Sequence, residues 1–198
     1  MTNIEYEKLS DVDVISISEI HKNELEIGVL TLFGSQFLIE MYSSLLRSGN
    51  WGFIARLDGE TIGFIVATQT EISLFKCLSI HSILHFVANS LFNPIKFFSF
   101  LIAFKEHYLH NSKYKIKPTK AIVELSHFAI IEEWKSKGIG GTLIKKFEEA
   151  AKARGFSSIY TRTHNERLSS HYIEKKRAKV LKRLPMASYN SRIFKWDI

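Results

Sequence analysis

The chain is poor in the residues that staple or punctuate a fold. One cysteine, Cys77, among 198 residues excludes an intrachain disulfide, offers no thiolate metal cluster and suits a reducing cytoplasm. The three prolines, Pro94, Pro118 and Pro185, fall between predicted elements. There is no internal repeat, no low-complexity tract and no linker-like stretch. The expectation is therefore one domain over residues 1–198, large enough for a sizeable core. The opening Met1-Thr2-Asn3-Ile4-Glu5 has neither the basic start nor the apolar run of a signal peptide. An uncharged run of 19 residues, Cys77 to Ile95, has the length of a membrane span. It is broken by Ser79, His81, Ser82, His85, Asn89, Asn93 and Pro94, so no integral membrane segment is expected, and peripheral contact stays open. Basic residues do not interleave with aromatics, and nucleic acid is not an expected partner.

What is abundant is informative. Hydrophobic residues make up 45% and charged residues 24%, the balance of an ordinary soluble protein, and the 15 phenylalanines point to a Phe-rich core or an apolar cleft. The net charge of +7 is unevenly placed. From Glu132 to the C-terminus there are 16 Lys/Arg against 7 Asp/Glu, a net of +9, whereas the preceding 131 residues carry a net of −2. A basic C-terminal third attracts an anionic ligand, or is a solvated face.

The pattern predicts a strand over Ile4–Leu9, then a helix over Val12–Glu24 behind a Ser10-Asp11 cap. A second helix follows over Gln36–Leu46. Trp51–Leu57 and Thr61–Thr68 flank Asp58-Gly59, a strong hairpin signal. Two helices are expected within 72–110: Ile80, Ile83, Leu84, Val87 and Leu91 have helical spacing, as do Phe97, Leu101, Phe104 and Tyr108, with Asn93-Pro94 between the sets. They read as extra core or as a lid over an apolar acceptor. Beyond them come strands at Phe156–Thr163, Val180–Leu184 and Arg192–Trp196, and a helix at Glu166–Lys176.

The rest of the chain is organised around Ala121–Gly155. A β-branched strand, Ile122–Ile131, leads into Lys135-Ser136-Lys137-Gly138-Ile139-Gly140-Gly141 and a helix with Leu143, Phe147, Ala150 and Ala151 on one face. Bare amides at a helix start suit phosphate. The Walker pattern fails because Gly141-Thr142 lacks the lysine. The dinucleotide fingerprint fails at Leu143 and lacks an acidic residue about 20 positions on.

A third spacing fits. Lys135-x-x-Gly138-x-Gly140 resembles the (Arg/Gln)-x-x-Gly-x-(Gly/Ala) signature of the GNAT superfamily of acyl-CoA-dependent N-acyltransferases, with Lys in place of Arg or Gln. Asn165-Glu166-Arg167-Leu168-Ser169-Ser170-His171-Tyr172 is similar to that family's Asn-x-x-Ala-x-x-x-Tyr segment. The resemblance implies an α/β (α+β) fold: a mixed, mostly antiparallel sheet flanked by helices, here with a helical insertion at 72–110. It implies acetyl transfer from acetyl-CoA, as cosubstrate and without a metal, to a primary amine. Gly34-x-x-Phe37-Leu38-x-x-Met41-Tyr42 and the inserted helices are similar to members associated with surface polysaccharides and amino sugars. A small-molecule amine such as an amino sugar is the leading acceptor. A protein N-terminus or lysine is the alternative, as is a CoA-binding module without catalysis, and a homodimer stays open.

By the same resemblance, Phe128, Ala129 and Ile130 lie where the family's central strand bulges and parts from its neighbour. Lys135, Lys137, Gly138, Ile139, Gly140, Gly141 and Thr142 would hold the pyrophosphate, and Asn165 would bond near the cofactor arm or cap its helix. Tyr172 matches the family's general acid. Glu124 matches the base of one branch; strict alternation puts it on the face of Ser126, Phe128 and Ile130, with the rival base His127 on the other. His81/His85 and His107/His110 have helical ligand spacing but no local third ligand. Cys77 is expected as a buried thiol.

Overall fold

The structure, a computed structural model, describes residues 3–25, 29–69, 77, 79–92, 98, 121–185 and 190–198. Among these, seven strands form one sheet: β1 (Ile4–Lys8), β2 (Trp51–Leu57), β3 (Glu60–Thr68), β4 (Ile122–Ile130), β5 (Ser158–Thr163), β6 (Lys179–Pro185) and β7 (Asn190–Asp197). Their order is β1-β2-β3-β4-β5-β7-β6. Every neighbouring pair is antiparallel except β4 and β5, which run parallel. The expected mixed, mostly antiparallel sheet is thus present.

Helices cover both faces. Helix α1 (Val14–Glu24) starts later than the sequence pattern predicts, because Asp11–Asp13 forms a tight 3-10 turn first. Asp13 organises that entry: its carboxylate accepts from the amide and hydroxyl of Ser10 and pairs with Arg56, which also reaches Glu7. Helix α2 (Ser35–Arg47) follows Gly34. Together they bury Val14, Ile17, Ile20, Phe37, Leu38, Met41, Tyr42 and Leu45 against Ile54, Phe64, Val66 and Ala129. Helix α4 (Ile139–Ala153) buries Ile139, Leu143, Ile144, Phe147 and Ala151 on the opposite face, against Trp51, Ile65, Val123, Leu125 and Ile159. Helix α5 (Glu166–Lys176) adds Tyr172, stacked on Trp196 at 5.2 Å between centroids. The hairpin turn has φ of 49° at Asp58 and 86° at Gly59, the two left-handed residues that match a tight turn to strand twist.

Helix α3 (Ile80–Phe92) lies before the central strand as expected, but its presumed core face is not buried. Ile80, Ile83, Leu84 and Val87 are 43–64% exposed. The inward residues are Ser82, 1% exposed, and Phe86, stacked on Phe33 at 5.0 Å. A Cβ on Gly34 would meet the His85 ring at 2.8 Å, so α3 rests on the chain between α1 and α2. Cys77 is buried. The second expected inserted helix lies outside the described residues. No helix among the described residues is long and apolar enough to cross a membrane.

The central strand sets the site. β4 pairs with β5 only from Ile122↔Ser158 to Leu125↔Thr161, and the Thr161 hydroxyl closes the ladder on the Leu125 carbonyl at 2.8 Å. Beyond that point β4 stays with β3, while Arg162 and Thr163 of β5 stay with β7. A β-bulge sits at the fork, because Leu125 faces Ala67 but His127 faces Val66, leaving Ser126 as the extra residue. Its hydroxyl accepts from Thr68 and donates to the Val66 carbonyl.

The bulge overturns the strict alternation expected from sequence. Glu124, His127 and Ala129 sit opposite Thr68, Val66 and Phe64, on the α1/α2 face, whereas Phe128 and Ile130 sit opposite Ile65 and Gly63, on the α4 face. One inserted residue flips the count of two. Glu124 therefore shares a face with His127, not with Phe128 and Ile130.

Candidate active site

Where β4 and β5 part, a cleft of about 610 Å³ opens. Its walls carry Ser126 to Ile130 of β4, Thr161 to Thr163 of β5, the loop residues Lys135, Ser136, Gly138, Gly140 and Gly141, and Asn165, Arg167, Leu168, His171 and Tyr172 at α5. His21 and Glu24 of α1, with Leu25 just past its end, close the other side.

The backbone supplies part of the chemistry. The Ile131 amide donates to Ile62, so by antiparallel alternation the amides of Ala129 and His127 also serve β3. Those of Phe128 and Ile130 face the cleft. Ala129, expected among the freed amides, contributes its small buried side chain instead.

The glycine loop is built of left-handed turns. Ser136 has φ 69° and Gly138 φ 83°, a conformation that costs glycine nothing. The first three amides of α4, from Ile139, Gly140 and Gly141, have no intrahelical acceptor. Thr142, expected among the phosphate donors, already gives its amide to Gly138 at 3.2 Å, because the N-cap carbonyl claims the fourth amide of a helix. Added Cβ atoms at Gly138 and Gly141 would meet nothing within 4 Å, and one at Gly140 would meet Phe128 and Ile130 at 3.0 Å. The loop thus leaves open space over bare amides, a cradle that fits a phosphate group. Ile139 is not in that cradle by its side chain, which is core at 1% exposure.

The lysines of the signature are otherwise engaged. Lys135 Nζ pairs with Glu24 of α1 at 2.7 Å and with Glu132. Burial opposes its charge, but the hydrogen bonds to Glu132 and Glu24 outweigh that and raise its pKa. The Lys137 ammonium sits 4.0 Å from the centroid of the Trp134 ring. Arg167, which no motif singled out, reaches from α5 to the Ser136 hydroxyl at 2.6 Å. Its position within the Asn165–Tyr172 segment was the only available signal.

Tyr172 is 1% exposed, yet it borders the cleft beside Thr161. Burial pushes its phenol well above the usual value, with the Thr161 side chain acting weakly the other way. It is therefore protonated at neutral pH. Asn165 caps α5, accepting from the Leu168 amide at 3.0 Å, and also borders the cleft; its two expected roles are compatible. Glu124 accepts from the Tyr160 hydroxyl at 2.7 Å. It is not on the cleft wall traced by the described residues.

Opposite the loop lies a group that sequence spacing did not bring together. His21 Nδ1 and the Tyr42 hydroxyl are 2.6 Å apart. The His127 ring lies 5.2 Å from His21 and 5.5 Å from Tyr42 by centroids. Burial, followed by the neighbouring His127, lowers His21 to about 3, and burial lowers His127 to about 4. Both rings are neutral at physiological pH. Among the described residues no three His, Cys, Asp or Glu side chains converge as a metal site.

The family model for the acetyltransferase (GNAT) family matches residues 17–174. The chain belongs to that family and is an acyltransferase. Among solved structures, it resembles an N-acetyltransferase from Staphylococcus aureus Mu50 at 13% identity, with 99% of each chain covered and a TM-score of 0.61. It also resembles the paia N-acetyltransferase of Thermoplasma acidophilum, solved with coenzyme A, at 16% identity over 99% of this chain and 99% of that one, TM-score 0.59. A third is yncA of Salmonella typhimurium, solved with its cofactor acetyl-CoA, at 9% identity over 98% and 93%, TM-score 0.60. At these identities the likeness concerns the fold. No curated protein matches the chain.

Proposed function

We propose that this protein transfers an acetyl group from acetyl-CoA to the primary amine of a small molecule such as an amino sugar, within one cytoplasmic domain spanning the chain. The observation that carries the reading is the fork of β4 and β5 at Leu125 and Thr161, opening beside the glycine cradle with Tyr172 at its edge. The fork gives an extended thioester arm a slot between strands. The cradle gives the pyrophosphate bare amides.

The amine nitrogen attacks the thioester carbonyl carbon, and the amides of Phe128 and Ile130 offer donors to the oxyanion. As the C–S bond breaks, the Tyr172 phenol gives its proton to the departing sulfur. Burial raises the phenol's pKa and so makes it a weaker acid; its place at the cleft edge, not its acidity, suits it to the step. The amine's proton leaves towards the α1/α2 face, where Glu124 and His127 both stand. His127 lines the cleft, but burial makes it a weak base; Glu124 does not line the cleft, so the proton would reach its carboxylate through solvent. The Tyr160 hydroxyl orients its carboxylate.

The test is free-thiol release from acetyl-CoA by purified protein against a panel of amino sugars, other small amines, and peptides with free N-termini or lysines. Saturable release with a small amine is the expected result. Release with peptides alone would replace the acceptor assignment, and release with no amine in the panel would overturn the reading.

A further inference from the structure

Acetyl-CoA carries its negative charge on phosphates, and the signature residue expected to meet it, Lys135, is already surrounded by two carboxylates. Glu24 accepts from Lys135 Nζ with one oxygen and from the Glu132 amide with the other at 3.0 Å. That arrangement ties the end of α1 to the start of the loop. One cation facing two carboxylates leaves no positive charge over for an anion. Lys137 is seated on Trp134. Two arginines border the cleft, and Arg162 spends its Nε on Ser191 at 3.1 Å, away towards β7.

Arg167 differs in each respect. It is exposed, it borders the cleft, and its one hydrogen bond among the described residues reaches Ser136, the left-handed residue two positions before Gly138. A guanidinium has five N–H donors in a planar fork suited to two oxygens at once. One donor is used at Ser136, and the remaining donors have no partner among the described residues. No carboxylate pairs with it there; the nearby Glu166 is held by Arg192 at 2.6 Å and 2.8 Å.

We propose that Arg167, not Lys135, is the cation that binds the pyrophosphate of acetyl-CoA, while Lys135 works as a clasp holding α1 against the loop. The proposal rests on the acetyl-CoA reading above. It assigns the charged half of the phosphate site to α5, so that the helix carrying Tyr172 and the anchor of the cosubstrate are one rigid piece. Charge on the phosphates would then position the acid as well as add affinity.

The experiment compares Arg167→Ala, Arg167→Lys and Lys135→Ala with the parent protein, using acetyl-CoA and S-acetylpantetheine, which lacks the pyrophosphate. CoA binding is read by calorimetry and turnover by thiol release. Arg167→Ala is expected to weaken CoA binding about tenfold or more, with a penalty for acetyl-CoA at least several-fold larger than for S-acetylpantetheine. Arg167→Lys recovers part of the loss, because charge returns without the fork. Lys135→Ala is expected to lower the melting temperature more than it lowers CoA affinity. Equal penalties with both thioesters, or a larger affinity loss for Lys135→Ala than for Arg167→Ala, would overturn the assignment. Absence of CoA binding in the parent protein would instead overturn the acetyl-CoA reading on which it rests.

Discussion

The two walls of the cleft use different physics. The glycine-loop wall works with backbone amides, left-handed turns and an exposed arginine. The wall formed by His21 and His127, backed by Tyr42, works with buried side chains whose charge has been suppressed. An exposed, dipolar wall can exchange hydration for an anionic ligand at little cost to the fold. A buried, neutral wall can face an acceptor without competing charge, but its rings are uncharged only while the fold keeps water away. The first wall is therefore expected to respond in affinity when altered, and the second in stability.

The sharpest way to separate cleft chemistry from either wall is Tyr172→Phe. Loss of a general acid lowers kcat by about 10²–10⁴-fold, whereas stacking on Trp196 and Phe194 is retained. Steady-state thiol release should show this fall in kcat with KM for acetyl-CoA little changed. A variant that turns over like the parent would remove Tyr172 from the mechanism.

The histidine wall breaks with acid. Its two folded-state pKa values lie below the ordinary 6.5, near 3 and 4. Between those values and 6.5 the unfolded chain binds protons that the folded chain refuses, so stability rises with pH through this window and is level above it. From pH 7 to pH 5 the loss is about 2 kcal/mol for each ring. Urea unfolding across that range measures it. A His21→Gln, His127→Gln double variant should flatten the profile, and an unchanged slope would mean the rings do not titrate as buried groups.

The smallest effect tests the opposite wall. Gly138→Ala places a Cβ in a left-handed conformation at φ 83°, at a cost on the order of 1 kcal/mol. The Cβ itself meets no atom within 4 Å. It should reduce CoA affinity, read by calorimetry, while the melting temperature falls only a few degrees. A large loss of stability without loss of affinity would show the loop to be structural.

Most elements were legible because local signals agreed. Asp58-Gly59 between β-rich runs specified the hairpin, and Gly138, Gly140 and Gly141 before an amphipathic run specified the loop and α4. Helix α3 was legible as a helix, but its buried face was not. Helical spacing identifies an apolar stripe without saying which neighbour exists to cover it. The register of β4 was misread for a similar reason. The resemblance placed a bulge at Phe128–Ile130, and nothing in the residues moves it to Ser126, where it arises from the match of β4 to β3, a partner about 60 positions earlier in the chain. Lys135 read as a phosphate ligand because its two carboxylate partners include Glu24, 111 residues away.

By itself, the sequence determined the kind of cradle: spacing of glycines and the Asn165–Tyr172 segment are local properties of the chain, carried by backbone conformation. Only the tertiary structure decided which side chains meet in it. The bulge turned Glu124 and His127 to one face, α1 supplied His21 and Glu24, and α5 supplied Arg167. Those groups are distant in sequence, and only packing of the two helical layers on a forked sheet places His21, Glu24, His127 and Arg167 around one cleft, with Glu124 set back from its wall.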